Sequence, residues 1–258
     1  MPSAAVNGVS IHYQVQGEGP ALVLCHGLGG NMLSWWQQVP ELSQRFKCVT
    51  FDHRGFGSST NTEGAGAEAF ADDLAALLDH LQVQEASIVG HSMGGRTALG
   101  FAKRYPDRVR ALVFAGSVAN IRTPELDQVR RDVRAVRPKN RLRIALAAAF
   151  QEQRPEMGYL YRQIAFSNPP RTTEFLHKDT RPGTILGEIK VLRMPTLFIV
   201  GEEDQICPPH MVETAYRYFP NARLARVPGA GHSVYFEQPQ FFNRLVSDFC
   251  LPKTQATA

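Results

Sequence analysis

The run Ala86-Ser87-Ile88-Val89-Gly90-His91-Ser92-Met93-Gly94 constrains this chain more than any other stretch. It opens as a short apolar strand and closes on the pattern G-x-S-x-G. Beyond it, Ala98, Leu99 and Ala102 fall at helical spacing within Arg96 to Arg104. A strand that becomes a helix at a serine lifts that side chain off the sheet edge and onto a helix N-terminus. Glycine at 90 and 94 fits such a turn, because a Cβ at either place would meet neighbouring backbone. The pentapeptide alone is common; the strand before it and the helix after it make it specific.

A nucleophilic serine needs a base to take its proton and an acid to fix the base's tautomer. The chain offers both in the order Ser…Asp…His. The buried-strand run Pro195 to Gly201 leads into Glu202-Glu203-Asp204, in a turn closed by Pro208-Pro209. The weaker strand Arg223 to Pro228 leads into Gly229-Ala230-Gly231-His232. Taken singly, Ser92 reads as a turn serine, Asp204 as a cap and His232 as a loop histidine. Taken together, each lies just past the C-terminal end of a strand, and in an open parallel sheet those ends share one edge. Ser92, Asp204 and His232 are therefore the expected nucleophile, acid and base. Glu202 and Glu203 are rivals for the acid that lie nearer the strand.

Negative charge on a tetrahedral intermediate calls for N–H donors. Ala21 to Cys25 is another buried strand, and His26-Gly27-Leu28-Gly29-Gly30 opens from it. The backbone N–H of Met93, at the helix start, and that of Leu28, in the glycine turn, are the expected oxyanion hole. A phosphate-binding loop is excluded here, since neither G-x-G-x-x-G nor a G-K-[ST] ending is present.

With these residues in view, the chain resembles the α/β-hydrolase family almost from end to end. Phe51-Asp52-His53-Arg54-Gly55-Phe56-Gly57-Ser58-Ser59 is similar to that family's D-x-R-G-x-G-x-S stretch, which braces loops and carries no chemistry. Tyr105 to Val109 with Leu112-Val113-Phe114, and Gly231-His232 with Glu237-Gln238-Pro239, resemble its helix exit and its histidine loop. The resemblance implies an α/β fold with a mostly parallel sheet flanked by helices. It also implies a serine hydrolase acting on a small carboxylic ester or lactone through an acyl-enzyme, with no metal and no organic cofactor. A serine at the elbow argues against the family's dehalogenases and epoxide hydrolases, which use aspartate. Within the serine branch the chain looks most similar to small bacterial esterases and 3-oxoadipate enol-lactonases, and haloperoxidase-like members are further relatives. Ring-fission C–C hydrolases acting on vinylogous diketones, which typically read H-G-x-G-P-G, are an alternative; Gly30 stands where their proline would be. A slow-turnover small-molecule receptor or regulatory partner of the same fold is another.

A chain of 258 residues can bury one large α/β core. Asn7-Gly8, between Val6 and Val9, signals a hairpin and hence an antiparallel start to the sheet. Strand and helix patterns alternate as far as Phe114-Ala115-Gly116. From about Asn120 to Arg193 they give way to helical patterns broken near Pro138, Pro155, Pro169-Pro170 and Pro182. This divides the chain into a core of residues 1–119 and 194–258 and a helical cap of residues 120–193. Trp36, Phe150, Tyr161 and Val234 are the candidate substrate-binding residues. Tyr159, Leu160, Phe166 and Phe175 are further aromatic or apolar candidates, and Trp35 is read as packing near the pocket.

Net charge is +4, yet eight basic residues face three acidic ones between Arg122 and Arg143. Either the cap attracts an anionic substrate, or this is a solvated helix face behind a stripe of Leu126, Val129, Val133 and Val136. The second reading covers most of the arginines and leaves open whether one turns inward. Nucleic-acid binding lacks aromatic or motif support. No apolar run approaches the ~18 residues of a membrane span. Met1 to Ala5 has no signal-peptide character and the four cysteines lack C-x-x-C spacing, so the expected compartment is cytoplasmic. Lys253 to Ala258 reads as a loose tail.

Overall fold

Runs of Val, Ile, Leu and Phe too short for helices fold here as strands covered on both faces. The computed structural model describes residues 2–61, 64–170 and 183–251. Its strands are β1 (Ser3–Val6), β2 (Val9–Gln16), β3 (Ala21–Cys25), β4 (Lys47–Phe51), β5 (Ala86–His91), β6 (Val109–Ala115), β7 (Thr196–Gly201) and β8 (Ala222–Val227). They form one sheet in the order β1-β2-β4-β3-β5-β6-β7-β8. The β1–β2 and β2–β4 pairs are antiparallel, and the rest of the sheet is parallel. Asn7 and Gly8 make the first hairpin with φ of 48° and 74°, the paired positive values that suit the twist of a two-residue turn.

Side chains alternate between the two faces with the strand period of two. Val23 and Cys25 of β3, Ile88 of β5, Leu112 and Phe114 of β6, and Phe198 and Val200 of β7 enter one core. That core is closed by helices Phe70–His80, Gly94–Arg104 and Pro209–Tyr216. Leu22, Leu24, Val89, Val113, Leu197 and Ile199 enter the other, closed by Trp35, Phe46 and helix Pro239–Cys250. β8 is an edge strand, and Arg223 and Arg226 on it discourage pairing with another chain.

Between β6 and β7 the described residues form helices Pro124–Val136, Ala148–Gln153, Pro155–Phe166 and Leu186–Lys190. Phe175 and Pro182, like the tail at 253–258, lie outside the described residues. Thr123 caps the first helix by accepting the Leu126 N–H at 3.1 Å. Its apolar stripe is shorter than expected: Leu126 and Val133 are buried and Val129 is half-buried, but Val136 is 85% exposed. The helix ends there and Arg137 turns extended, so the last member of the stripe has run off the surface on which the others pack. This insertion is tied down at the C-terminal edge of the sheet. Asn31 Nδ2 donates to Ile164 O (3.3 Å) and Ser167 Oγ (3.0 Å). Asn168 Nδ2 donates to Gly29 O (2.9 Å), and its Oδ1 accepts the Gly57 N–H (2.8 Å).

The segment after β4 braces this edge. Asp52 is buried and accepts the N–H groups of Met32 (2.8 Å) and Ser58 (2.9 Å). Arg54 grips Asp73 through two 2.6 Å bonds, with side-chain exposures of 3% and 2%. Removing one partner strands a buried charge. Arg54→Ala is therefore expected to lower unfolding free energy by about 3 kcal/mol. In urea titrations, the Arg54→Ala/Asp73→Ala pair should lose clearly less than the sum of its single changes. Strict additivity would show that the pair is not coupled.

Candidate active site

Ser92 directly follows the last residue of β5. Its backbone is left-handed at φ 49°, a costly conformation for a residue with a Cβ. The surroundings impose it. The Ser92 N–H donates to Ala115 O at the end of β6 (2.9 Å), and the Ser92 carbonyl accepts from Gly95 N (3.1 Å) and Ser117 Oγ (2.6 Å). A Cβ at Gly90 would lie 2.6 Å from Gly94 O, and one at Gly94 would lie 2.1 Å from Cys25 O. Only glycine lets the strand, the helix start and the end of β3 cross this closely. Ser92 is left half-buried, just before the N-cap of helix Gly94–Arg104.

Asp204 and His232 meet at the same edge, with His232 Nδ1 2.8 Å from Asp204 Oδ2. Both are buried, at 2% and 4% exposure. The other carboxylate oxygen, Oδ1, accepts the N–H groups of Ile206 (2.7 Å) and Cys207 (2.8 Å), which orients the acid. The two rival carboxylates are turned out by the sheet. Glu202 N still bonds to Val227 O of β8 and Glu203 N to Ala230 O, and both residues are exposed. Asp204 is the acid that the structure brings to the histidine. A carboxylate can only accept, so Nδ1 carries the proton and Nε2 keeps the lone pair. Residues on either side of the elbow pack on this ring. His91, next to Ser92, lies 4.9 Å from the His232 ring, centroid to centroid, and Gly116, one residue past Ala115, abuts His232 Nδ1.

The turn after β3 packs against the elbow, since a Cβ on Gly27 would lie 3.2 Å from Ser92 Cβ. Gly27 O accepts from Gly30 N (3.0 Å) and His26 Nδ1 (2.9 Å). His26 Nε2 accepts the His53 N–H at 3.0 Å, so the proton of His26 must sit on Nδ1. The peptide joining Gly27 to Leu28 thus has its carbonyl held from two sides and its N–H directed away. Neither the Leu28 nor the Met93 N–H has an acceptor among the described residues.

Two groups that sequence reasoning missed hold the histidine loop. His91, the unspecified residue of G-x-S-x-G, donates from Nε2 to His232 O at 3.2 Å. Burial, with His232 beside it, holds His91 well below the ordinary histidine range and hence neutral. Glu237 accepts from Gly231 N (3.0 Å to Oε2, 3.1 Å to Oε1), Ser233 N (3.3 Å) and Ala147 N (2.8 Å). Burial raises its carboxyl to about 7 against the lowering effect of these donors, and the Asp204 charge adds to the rise. His91 has no sequence signal beyond its place beside Ser92, and Glu237 stands out only as part of the Glu237-Gln238-Pro239 resemblance, which gives it no task.

A small pocket beside the turn is lined by Gly27 to Gly30, Ser34, His91, Tyr161, Ile164 and Tyr235. Of the four expected substrate-binding residues, Tyr161 alone is in that lining, with its hydroxyl 2.9 Å from Ser233 Oγ. The other three are placed elsewhere. Trp36 ends a short 3-10 turn and is 43% exposed, whereas Trp35 is fully buried against Tyr235 and Phe242. Val234 belongs to the core beneath the loop, and Phe150 and Leu160 pack against that core. Tyr159 and Phe166 are exposed. Among the arginines of the first inserted helix, Arg130 is the one tucked in, and Asp127 of its own helix pairs with it at 2.7 Å. No group of His, Cys, Asp or Glu that could hold a metal occurs among the described residues. No described helix is long and apolar enough to cross a membrane.

This sheet, with a serine elbow, a glycine turn and an acid–histidine pair on one edge, defines a hydrolase of the α/β class. The model of the alpha/beta hydrolase fold family matches residues 20–172 and 174–239, and the chain belongs to that family. It is similar to a thermophilic esterase from Thermogutta terrifontis, with TM-score 0.82 and 30% identity over 95% of each chain. The enol-lactonase from Burkholderia xenovorans LB400 superposes with TM-score 0.79 and 26% identity, over 96% of this chain and 99% of that one. A 2-hydroxy-6-oxo-2,4-heptadienoate hydrolase from Pseudomonas putida is 30% identical over 94% of this chain and 93% of its own length.

Glu237 also makes stability pH-dependent. Its folded value of about 7 lies above the ordinary 4.5, so the unfolded chain ionises first. Stability is full below about pH 4.5 and falls as pH rises to about 7, by ~3 kcal/mol at 1.36 kcal/mol per pH unit. Glu237→Gln lacks this titration. The stability of Glu237→Gln relative to the native protein should therefore rise between pH 5 and 8 in chemical denaturation, and a flat difference would contradict the assignment.

Proposed function

We propose that this hydrolase cleaves a small carboxylic ester or lactone through an acyl-enzyme on Ser92. The observation that carries the reading is the 2.8 Å His232–Asp204 bond, on the strand edge that also presents Ser92 in its left-handed turn. His232 Nε2 takes the Ser92 proton as Oγ attacks the carbonyl carbon. Asp204 stabilises the imidazolium, and the Leu28 and Met93 N–H groups hold the oxyanion. The alcohol leaves with the proton from His232. Water, activated by the same nitrogen, then frees the acid and Ser92. The chemistry asks nothing of a metal or organic cofactor.

The inserted helices act in this reading as a cap, residues 120–193, over a core of residues 1–119 and 194–258. Their ties to Gly29 and Asn31 place them beside the oxyanion turn. The names of the esterase and enol-lactonase neighbours support the substrate class. An anionic substrate would find compensation in the arginine-rich first cap helix. The four cysteines are free, which fits a reducing compartment and the cytoplasm as the site of action.

Stopped-flow hydrolysis of short p-nitrophenyl esters, with a lactone panel beside it, tests the proposal. The expected result is a burst near one equivalent followed by steady turnover, both absent in Ser92→Ala. Asp204→Asn should lose roughly 10⁴-fold in kcat. Persistence of turnover in Ser92→Ala overturns the reading. A burst without turnover would favour a receptor. Turnover confined to vinylogous diketones would favour C–C hydrolysis, the activity class to which the Pseudomonas putida relative points.

A further inference from the structure

We infer that Glu237 is a positioning residue for the reaction, its carboxylate fixing the His232 loop in working geometry and locking that loop to residues 145–147 of the inserted segment. The inference rests on His232 serving as the base. Residues 145–147 are buried and run against Gly231 so closely that a Cβ on Gly231 would lie 2.5 Å from Ala147 N and 2.9 Å from Leu146 C. The two backbones share one direct bond, Ser233 N to Ala145 O at 3.1 Å. The N–H groups of Ala147 and Gly231 are left facing inward with no carbonyl to accept them, and a buried unsatisfied N–H is costly. Glu237 reaches in from the helix Val234–Glu237 and takes both, together with the Ser233 N–H. His232 is therefore held by carboxylate bonds on either side of it and by the His91 bond to its carbonyl. The loop that carries the base and residues 145–147 of the inserted segment move as one piece.

The donor pattern selects the ionised form of Glu237. Three N–H groups point at the two carboxyl oxygens, and those of Ala147 and Gly231 have no other acceptor among the described residues. A protonated carboxyl or an amide turns a donor toward them instead. The groups around it do not favour that charge. Burial opposes it most, and the Asp204 charge on the β7 loop adds to this. Tyr161 on the helix Pro155–Phe166 and Tyr235 on Glu237's own helix face it as neutral phenols, whose ionisation the Glu237 charge raises. Against the lowering effect of the three N–H donors, burial and the Asp204 charge lift the Glu237 ionisation to about 7. Acidification then removes the acceptor that positions the His232 loop.

The test uses the full-length enzyme and Glu237→Gln, which keeps the side-chain volume and one acceptor. Its folded state is checked by circular dichroism. Two readouts are taken: kcat and KM for a short ester from about pH 5 to 9, and the downfield proton resonance of His232 Nδ1. At pH 8, kcat should fall about 100-fold with KM within about twofold, the loss expected when a reacting group is displaced by about 1 Å. The native kcat profile should carry an ionisation near 7 that the variant lacks. The Nδ1 proton should broaden in the variant. An unchanged kcat overturns the inference. So does a loss equal at every pH with a sharp Nδ1 proton, which would mark Glu237 as merely structural. Absence of Ser92-dependent turnover in the native enzyme instead defeats the proposed function, and the Nδ1 resonance still reports on the loop.

Discussion

Ser92 is held at φ 49° where β5, the start of the next helix and the end of β3 cross with backbone atoms in contact. Nearly every other feature of the edge depends on that crossing. The strain, of order 1–3 kcal/mol for a residue in this region, is sustained by the surrounding parallel sheet, in which every residue of β3, β5 and β7 is buried. Because the sheet is parallel, the ends of β3, β5, β6, β7 and β8 lie side by side. A glycine turn, a serine, an acid and a histidine can then be delivered independently to one place.

Behind these groups lies a buried polar scaffold. His26, Asp52, His91 and Glu237 are all withdrawn from water, and each holds backbone. His26 fixes the Gly27 carbonyl, Asp52 fixes Met32 just past the glycine turn, and His91 and Glu237 hold the loop around His232. Loops of this length have few backbone partners of their own, so their N–H and C=O groups must be met by side chains. Paired side-chain acceptors fix a loop more tightly than apolar packing can. The inserted helices join the scaffold at both ends of the edge. Asn168 reaches the glycine turn, while Tyr161 and Ala147 reach the histidine loop. A shift of the helix Pro155–Phe166 would therefore be felt at both the glycine turn and the histidine loop.

Local signals carried most of the architecture. Asn7-Gly8 announced the hairpin, the elbow was visible from its glycines, and the strand runs at Ala21, Ala86 and Pro195 begin within one residue of β3, β5 and β7. These features depend on periodicity and turn chemistry within a few residues. Misplaced or unread features depend on what lies across the fold. Val136 continued an apolar stripe in sequence, but the surface it would pack on ends before it. Trp35 and Trp36 are indistinguishable in composition, and only the rotation of a short turn sends one into the core and the other to solvent. Glu237 looked like part of a family signature; its task emerged only when Ala147, ninety residues away in sequence, proved to need an acceptor.

In the proposed function, one serine on this edge is nucleophilic because His232 takes its proton. A fluorophosphonate probe followed by peptide mapping tests this most directly, since the reagent is trapped by an activated serine whatever the natural substrate. The account predicts one adduct, on the peptide carrying Ser92, and near-complete loss of labelling in His232→Ala. Labelling that persists without His232, or that falls on a serine other than Ser92, would contradict it.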